Sequence, residues 1–216
     1  MRTRLLRVDA RHPDLAVVRE AAAALRRGGL VAFPTETVYG LGANLNDPQA
    51  IQELYQIKRR PFEKQVTLHI ARLEEMTAQG VIVDELARRL MRQFWPGPLT
   101  LVLRRPDGST AGFRMPSHPV ALALLGEAQV PVVAPSANLS GQSPAVTADE
   151  VLKNFSDRID VVLDAGPTPM GVSSTVVDLS VQPPRILREG AMADSIQRVL
   201  GGFDASEEKD PIRLHR

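Results

Sequence analysis

The sequence predicts an α/β layer fold, with helices packed on a central mixed sheet. Three observations carry this. Helical and extended patterns alternate through most of the 216 residues. The extended runs are short and apolar and stop at proline, glycine or polar loops, as buried strands do. The last of them lie close together in the chain, which requires some antiparallel pairing.

Asp14 to Arg27 carries the first helical pattern, with Leu15, Val18, Ala22 and Leu25 at helical spacing and Gly28-Gly29 as its stop. Leu30 to Phe33 is an apolar run closed by Pro34, a strand feeding the hydroxyl- and glycine-rich stretch PTETVYGLGAN, expected to be a loop. Asp47-Pro48 opens a helix, with proline at its first position and Ile51, Leu54, Tyr55 and Lys58 on one stripe. Val66 to Ala71 reads as a strand, and Val83 to Phe94 as an amphipathic helix with Leu86, Leu90 and Phe94 four apart. Leu99 to Leu103 is a strand after the turn Trp95-Pro96-Gly97-Pro98, and Ser117 is expected to cap a helix through Leu125. Pro131 to Ala134 is a strand running into Pro135-Ser136-Ala137-Asn138. Thr147 and Glu150 form a capping box for a helix through Phe155. Ile159 to Leu163, Thr175 to Leu179 and Pro184 to Leu187 read as strands, and Asp194 to Leu200 as a final helix. Residues 1–202 are expected to form one domain, and the polar tail 203–216 to fray.

Composition removes several classes of chemistry. There is no cysteine, so disulfides, thiolate nucleophiles, cysteine-held zinc and iron–sulfur clusters are excluded. No apolar run approaches the roughly 18–20 residues of a membrane helix, and the N-terminus lacks a signal-peptide core, so a cytoplasmic chain with no membrane partner is expected. The formal charge of +1 gives no general attraction for nucleic acid. Arginine nevertheless outnumbers lysine strongly, and guanidinium grips planar anions better than ammonium does. There is no phosphate-loop signature, Leu45 stands where a dinucleotide fingerprint needs its third glycine, and the four histidines have no metal-ligand spacing. What remains is polar residues just past apolar strands: Thr35, Glu36 and Thr37 after one, Ser136, Asn138 and Ser140 after another. Strand ends are where open α/β sheets bind ligands. Lys58, Arg60, Arg114 and Arg188 punctuate the same map, and cations among small donors suit phosphate or carboxylate.

Seven motifs in order then carry a resemblance: FPTETVYGLGAN, KRRP, WPGPLT, RMPSHP, APSANLSG, SSTVVD and LREG, spread over residues 33–190. Together they resemble the YrdC-like domain of the threonylcarbamoyl-adenylate synthase family. The resemblance implies an open, twisted, mixed sheet flanked by helices around a deep, positively lined cavity. It implies that L-threonine, bicarbonate and ATP become threonylcarbamoyl-AMP and pyrophosphate, with Mg²⁺ carried mainly on the ATP phosphates and no metal held by the protein itself. Downstream tRNA threonylcarbamoyl-transferase proteins would consume the product to modify an adenosine beside the anticodon, and weak RNA contact is a further partner class. By the family pattern Thr35, His69, Arg114, Ser136 and Ser174 would bind threonine. Lys58, Arg60, Asn138, Ser143 and Arg188 would bind the nucleotide, with Lys58 and Arg60 as the catalytic pair that neutralises phosphate charge.

Two departures stand out. Lys64-Gln65-Val66 occupies the place of a usual Asn-Pro-Leu segment, and Glu189 follows Arg188 where the family often has proline. A carboxylate there weakens the nucleotide contact if it points inward. Longer members carry a second C-terminal domain, so the chain resembles the short form. Two alternatives stay open: a non-catalytic RNA-binding module on the same cavity, and a related carbamoyl-transfer enzyme. Few aromatics and a near-neutral charge speak against the first, and the absent cysteines and short chain against the second.

Overall fold

The computed structural model describes residues 2–202; the tail Phe203–Arg216, expected to fray, lies outside the described residues. The elements run β1 (Arg4–Arg7), α1 (Leu15–Arg26), β2 (Val31–Phe33), β3 (Gly40–Asn44), α2 (Pro48–Ile57), β4 (Thr67–His69), α3 (Leu73–Thr77), α4 (Glu85–Phe94), β5 (Leu99–Arg104), β6 (Thr110–Arg114), α5 (Pro119–Ala128), β7 (Val132–Val133), α6 (Ala148–Phe155), β8 (Val161–Asp164), β9 (Thr175–Asp178), β10 (Arg185–Arg188) and α7 (Ala193–Gly201). Among the described residues the strands join in one mixed sheet in the order β1-β8-β2-β3-β7-β4-β6-β5-β9-β10. The expected alternation and mixed pairing are realised: β2 and β3 are antiparallel, for example, and β5 and β9 parallel.

Strand periodicity splits the core into two clusters on opposite faces. Ala32, Val162 and Val133 enter one cluster, which α2, α4, α6 and α7 cover. Their chain neighbours Val31, Val161 and Val132 enter the other, beneath α1 and α5. The alanines of α1 let it lie close along α5, and Asp14 caps it by accepting from the Ala16 N–H. The second face is covered by these two helices only toward β8, β2, β3 and β7. Beyond β7 the apolar residues of β4, β6, β5 and β9 (Leu68, Phe113, Leu101 and Val177) all join the first cluster. Their alternating neighbours are left to line open space.

Several elements differ from expectation. Residues 40–44, expected as loop, form β3 against β2. Glycine suits this strand because a Cβ on Gly42 would lie 3.1 Å from the Phe33 ring and 3.2 Å from the Val31 carbonyl. The strand expected over Val66 to Ala71 shortens to Thr67–His69. The cap of α5 is His118, whose Nδ1 accepts from the Val120 N–H at 3.2 Å, not Ser117; the Ser117 N–H goes instead to Glu36. In the capping box of α6 the Glu150 carboxylate takes the N–H of Val146, one residue before Thr147. The edge strand β1, the short α3 and the strand β6 were not anticipated. No helix among the described residues is long and apolar enough to cross a membrane.

Candidate active site

The uncovered sheet face is the floor of a cavity of about 460 Å³. Register neighbours Thr67, Gly112, Val102 and Asp178 form one row across β4, β6, β5 and β9, and all four line it. His69 and Arg114, paired in register on β4 and β6, lie one step along. The loop after β2 and the loop after β7 supply the walls, with Thr35 from one and Ser136 from the other. Ser173, Ser174, Leu187 and Arg188 close the far side, and Arg60, Glu63 and Gln65 the rim.

Seven of the ten expected site residues meet here: Thr35, Arg60, His69, Arg114, Ser136, Ser174 and Arg188. Arg114 is buried, and its Nη2 donates to Glu36 Oε1 and to Thr37 Oγ1, both at 2.7 Å. Its Nε is buried without a partner among the described residues. Arg114 nevertheless lines the cavity, where a guanidinium suits a ligand carboxylate. His69 Nδ1 lies 3.3 Å from the Thr67 carbonyl, and burial, with Arg114 beside the ring, pushes its pKa down to about 3. The ring is therefore neutral at physiological pH, and an Nδ1–H donated to that carbonyl leaves Nε2 as an acceptor.

Arg188 turns its guanidinium inward from the edge strand β10. Nε donates to the Ser174 carbonyl and Nη2 to Ser174 Oγ, each at 3.1 Å, and Ser174 Oγ lies 2.9 Å from Thr100 Oγ1. Lost hydration lowers its pKa first, then the charges of Arg114 and Arg60. Arg60 braces its own loop through the carbonyls of Lys64 and Gln65. That is how the unusual Lys64-Gln65-Val66 segment is used: through its backbone. Glu189 is exposed and does not line the cavity, so it sets no carboxylate against a bound phosphate.

Lys58, Asn138 and Ser143 do not line the cavity. Lys58 is buried behind it, with Nζ donating to the carbonyls of Ser136 at 2.5 Å and Asn138 at 2.6 Å. Burial, then Arg60, lowers its pKa to about 7. Asn138 is also folded into that loop: Oδ1 accepts from Ser136 Oγ, and Nδ2 donates to the carbonyls of Leu139 and Gln142. Ser143 is exposed. Among the described residues no three of His, Cys, Asp and Glu gather as a metal cage. The cavity carboxylates are Glu63 and Asp178, and Asp178 Oδ1 already accepts from Ser180 N and Oγ. This donor set does not fit a protein-held metal.

Sequence reasoning gave Glu36 and Thr37 only as polar residues past a strand and did not single out Thr67, Thr100 or Asp178. Thr-x-His in β4 and the Ser-x-Val-x-Asp that runs into β9 are two-residue alternations, the signal that places Thr67 and Asp178 on the cavity face.

The Sua5–YciO–YrdC family model, described as "Telomere recombination", matches residues 23–190. A Pyrococcus abyssi protein named threonylcarbamoyl-AMP synthase is 41% identical over 85% of this chain and 57% of its own length, so this chain spans little more than half of that relative. The crystal structure of P. abyssi Sua5 complexed with L-threonine superposes with a TM-score of 0.85 at 39% identity, over 92% of this chain and 61% of that one. The structure of E. coli YciO gives a TM-score of 0.79 at 27% identity, over 88% of this chain and 96% of that one.

Proposed function

Because the chain belongs to the Sua5–YciO–YrdC family, we propose that it converts L-threonine, bicarbonate and ATP to L-threonylcarbamoyl-adenylate and pyrophosphate. The observation that carries this reading is the meeting of Arg60, Arg114 and Arg188, remote in the chain, around one cavity with Thr35, His69, Ser136 and Ser174. It supports a site for one carboxylate and one polyphosphate side by side. The L-threonine in the P. abyssi Sua5 structure supports the amino-acid half.

In the proposed reaction the deprotonated threonine amine attacks the bicarbonate carbon. A C–N bond forms, water leaves, and a carbamate results. A carbamate oxygen then attacks the α-phosphorus of ATP in line, and the bond to the oxygen bridging to the β-phosphorus breaks, with its electron pair leaving on pyrophosphate. No protein nucleophile is needed. Arg114, with Thr35 and His69 beside it, orients the amino acid; Arg60 and Arg188 face the phosphates and stabilise the charge that develops there. Lys58 acts through the loop it stitches, placing Ser136 between the two ligands, with Asn138 folded beneath. Magnesium would come with the triphosphate and supply further charge neutralisation there. The adenylate would pass to proteins that transfer the threonylcarbamoyl group to tRNA.

Purified protein with Mg²⁺ is expected to release pyrophosphate only when threonine, bicarbonate and ATP are all present, with threonylcarbamoyl-AMP identified by mass. Absence of release, while a control synthase is active in the same buffer, removes the assignment.

A further inference from the structure

Three arginines line the cavity, but their charges are not equivalent. Arg60 donates to the carbonyls of Lys64 and Gln65, and Arg188 to the carbonyl and hydroxyl of Ser174. Among the described residues neither forms an ion pair with a carboxylate. Arg114 does, with Glu36 Oε1 at 2.7 Å, and both side chains are buried. Two of the three therefore present a full positive charge, as a polyphosphate requires. The third presents a hydrogen-bonding fork whose charge is already balanced.

Glu36 is itself held from two sides. Its other oxygen, Oε2, accepts from the Ser117 N–H at 3.0 Å, and its carbonyl accepts from the Met170 N–H at 2.9 Å. Both side-chain partners are donors, so the position needs two acceptor oxygens. A glutamine offers one oxygen and one NH₂, and must set a donor against a donor on one side. A ligand carboxylate in the cavity beside Arg114 feels the guanidinium and, more weakly, the repulsion of Glu36. A ligand that also carries an ammonium group recovers that loss by attraction to the same carboxylate.

We propose that Glu36 is a positioning and specificity residue of the amino-acid site, holding the Arg114 fork and balancing its charge so that the pocket admits a zwitterionic amino acid in preference to a simple carboxylate or phosphate anion. This rests on the threonine reading above and adds to it the basis of selection. It separates the cavity into a charge-balanced half for the amino acid and a cationic half for the nucleotide, which keeps pyrophosphate out of the threonine half.

The test is calorimetric binding of L-threonine and of 3-hydroxybutyrate, the same skeleton without the amine, to the intact protein. Wild-type protein should prefer threonine strongly. Glu36→Gln should weaken threonine at least tenfold and cut the threonine-to-hydroxybutyrate preference at least fivefold, while ATP affinity stays within twofold. An unchanged preference in a folded Glu36→Gln protein overturns the proposal. If that variant does not fold, Glu36→Asp decides. It keeps the charge but is too short to reach both Arg114 and Ser117, so threonine should weaken about fivefold with the preference intact. Unchanged threonine affinity, or a lost preference, overturns it. Failure of wild-type protein to bind threonine at all would instead remove the underlying functional reading.

Discussion

At the scale of single residues, the site works by holding groups in states that water would not give them. His69 is the plainest case. Its folded ring takes a proton only near pH 3, against about 6.5 in an unfolded chain, because burial and Arg114 both oppose the cation. Between those values the unfolded chain carries the extra proton, so acid favours unfolding. The contribution of His69 is whole above pH 6.5 and is lost as the pH falls towards 3. In urea titrations, wild-type stability should fall between pH 6 and 4 more steeply than that of His69→Gln, by up to about 1.4 kcal/mol per pH unit, the slope of one proton. His118 is shifted the same way by burial and remains as common background in both proteins. Parallel pH profiles would mean that the ring is not held neutral. The cations of the site were legible as residue types, but their partners were not. Lys58 in KRRP reads as a free cation at a helix end; only the fold reveals that the loop after β7 passes within reach of its ammonium.

At the scale of elements, the site depends on strands that the sequence hides. β2 and β8 were legible because each carries a run of buried apolar residues, and β5 and β9 because Val102 and Val176 keep the pattern apolar even on the cavity side. β6, Thr-Ala-Gly-Phe-Arg, was not: only Ala111 and Phe113 face the apolar side, while Thr110, Gly112 and Arg114 face the cavity. A strand that builds a polar floor must give up half of its hydrophobic signal. The same holds for β3, where glycines stand in place of β-branched residues so that the Phe33 ring can lie across the strand. Close approach of backbones also shapes the wall gripped by Arg188. Beyond β10 the chain crosses Ser173 and Ser174 so closely that a Cβ on Gly190 would sit 2.2 Å from the Ser173 carbonyl oxygen and 2.6 Å from Ser174 backbone atoms. Those are backbone neighbours and cannot swing aside, so the segment carrying Arg188 must move. Gly190→Ala should therefore cost about 1–3 kcal/mol by overpacking and also raise the KM for ATP more than that for threonine. Gly126→Ala is the matched control: its Cβ meets open space on α5, and helix propensity should raise stability by about 0.5–1 kcal/mol. Equal KM values for wild-type and Gly190→Ala proteins would show that the crossing does not position Arg188.

At the scale of the whole molecule, the sheet is one continuous object with two differently finished ends. One end is sandwiched between helices on both faces; the other keeps one face bare and converts it into the cavity floor. The residues that close the cavity run from Thr35 to Arg188, so a ligand bridges segments remote in the chain, and its binding energy is shared by the whole fold. A ligand bound only by the native state adds about 2.7 kcal/mol at a concentration one hundred times its Kd. Threonine and ATP should each raise the thermal midpoint of the wild-type protein, and their increments should be separable by residue. Arg114→Gln keeps a donor for Glu36 but removes the charged fork that faces the amino acid. Its midpoint should no longer respond to threonine, yet should rise with Mg-ATP as the wild-type midpoint does, because Arg60 and Arg188 are untouched. A threonine shift as large as in the wild-type protein would place the amino acid away from Arg114. Loss of both shifts would mean that the two halves of the cavity are not independent, and that the charge-balanced and cationic ends form a single site.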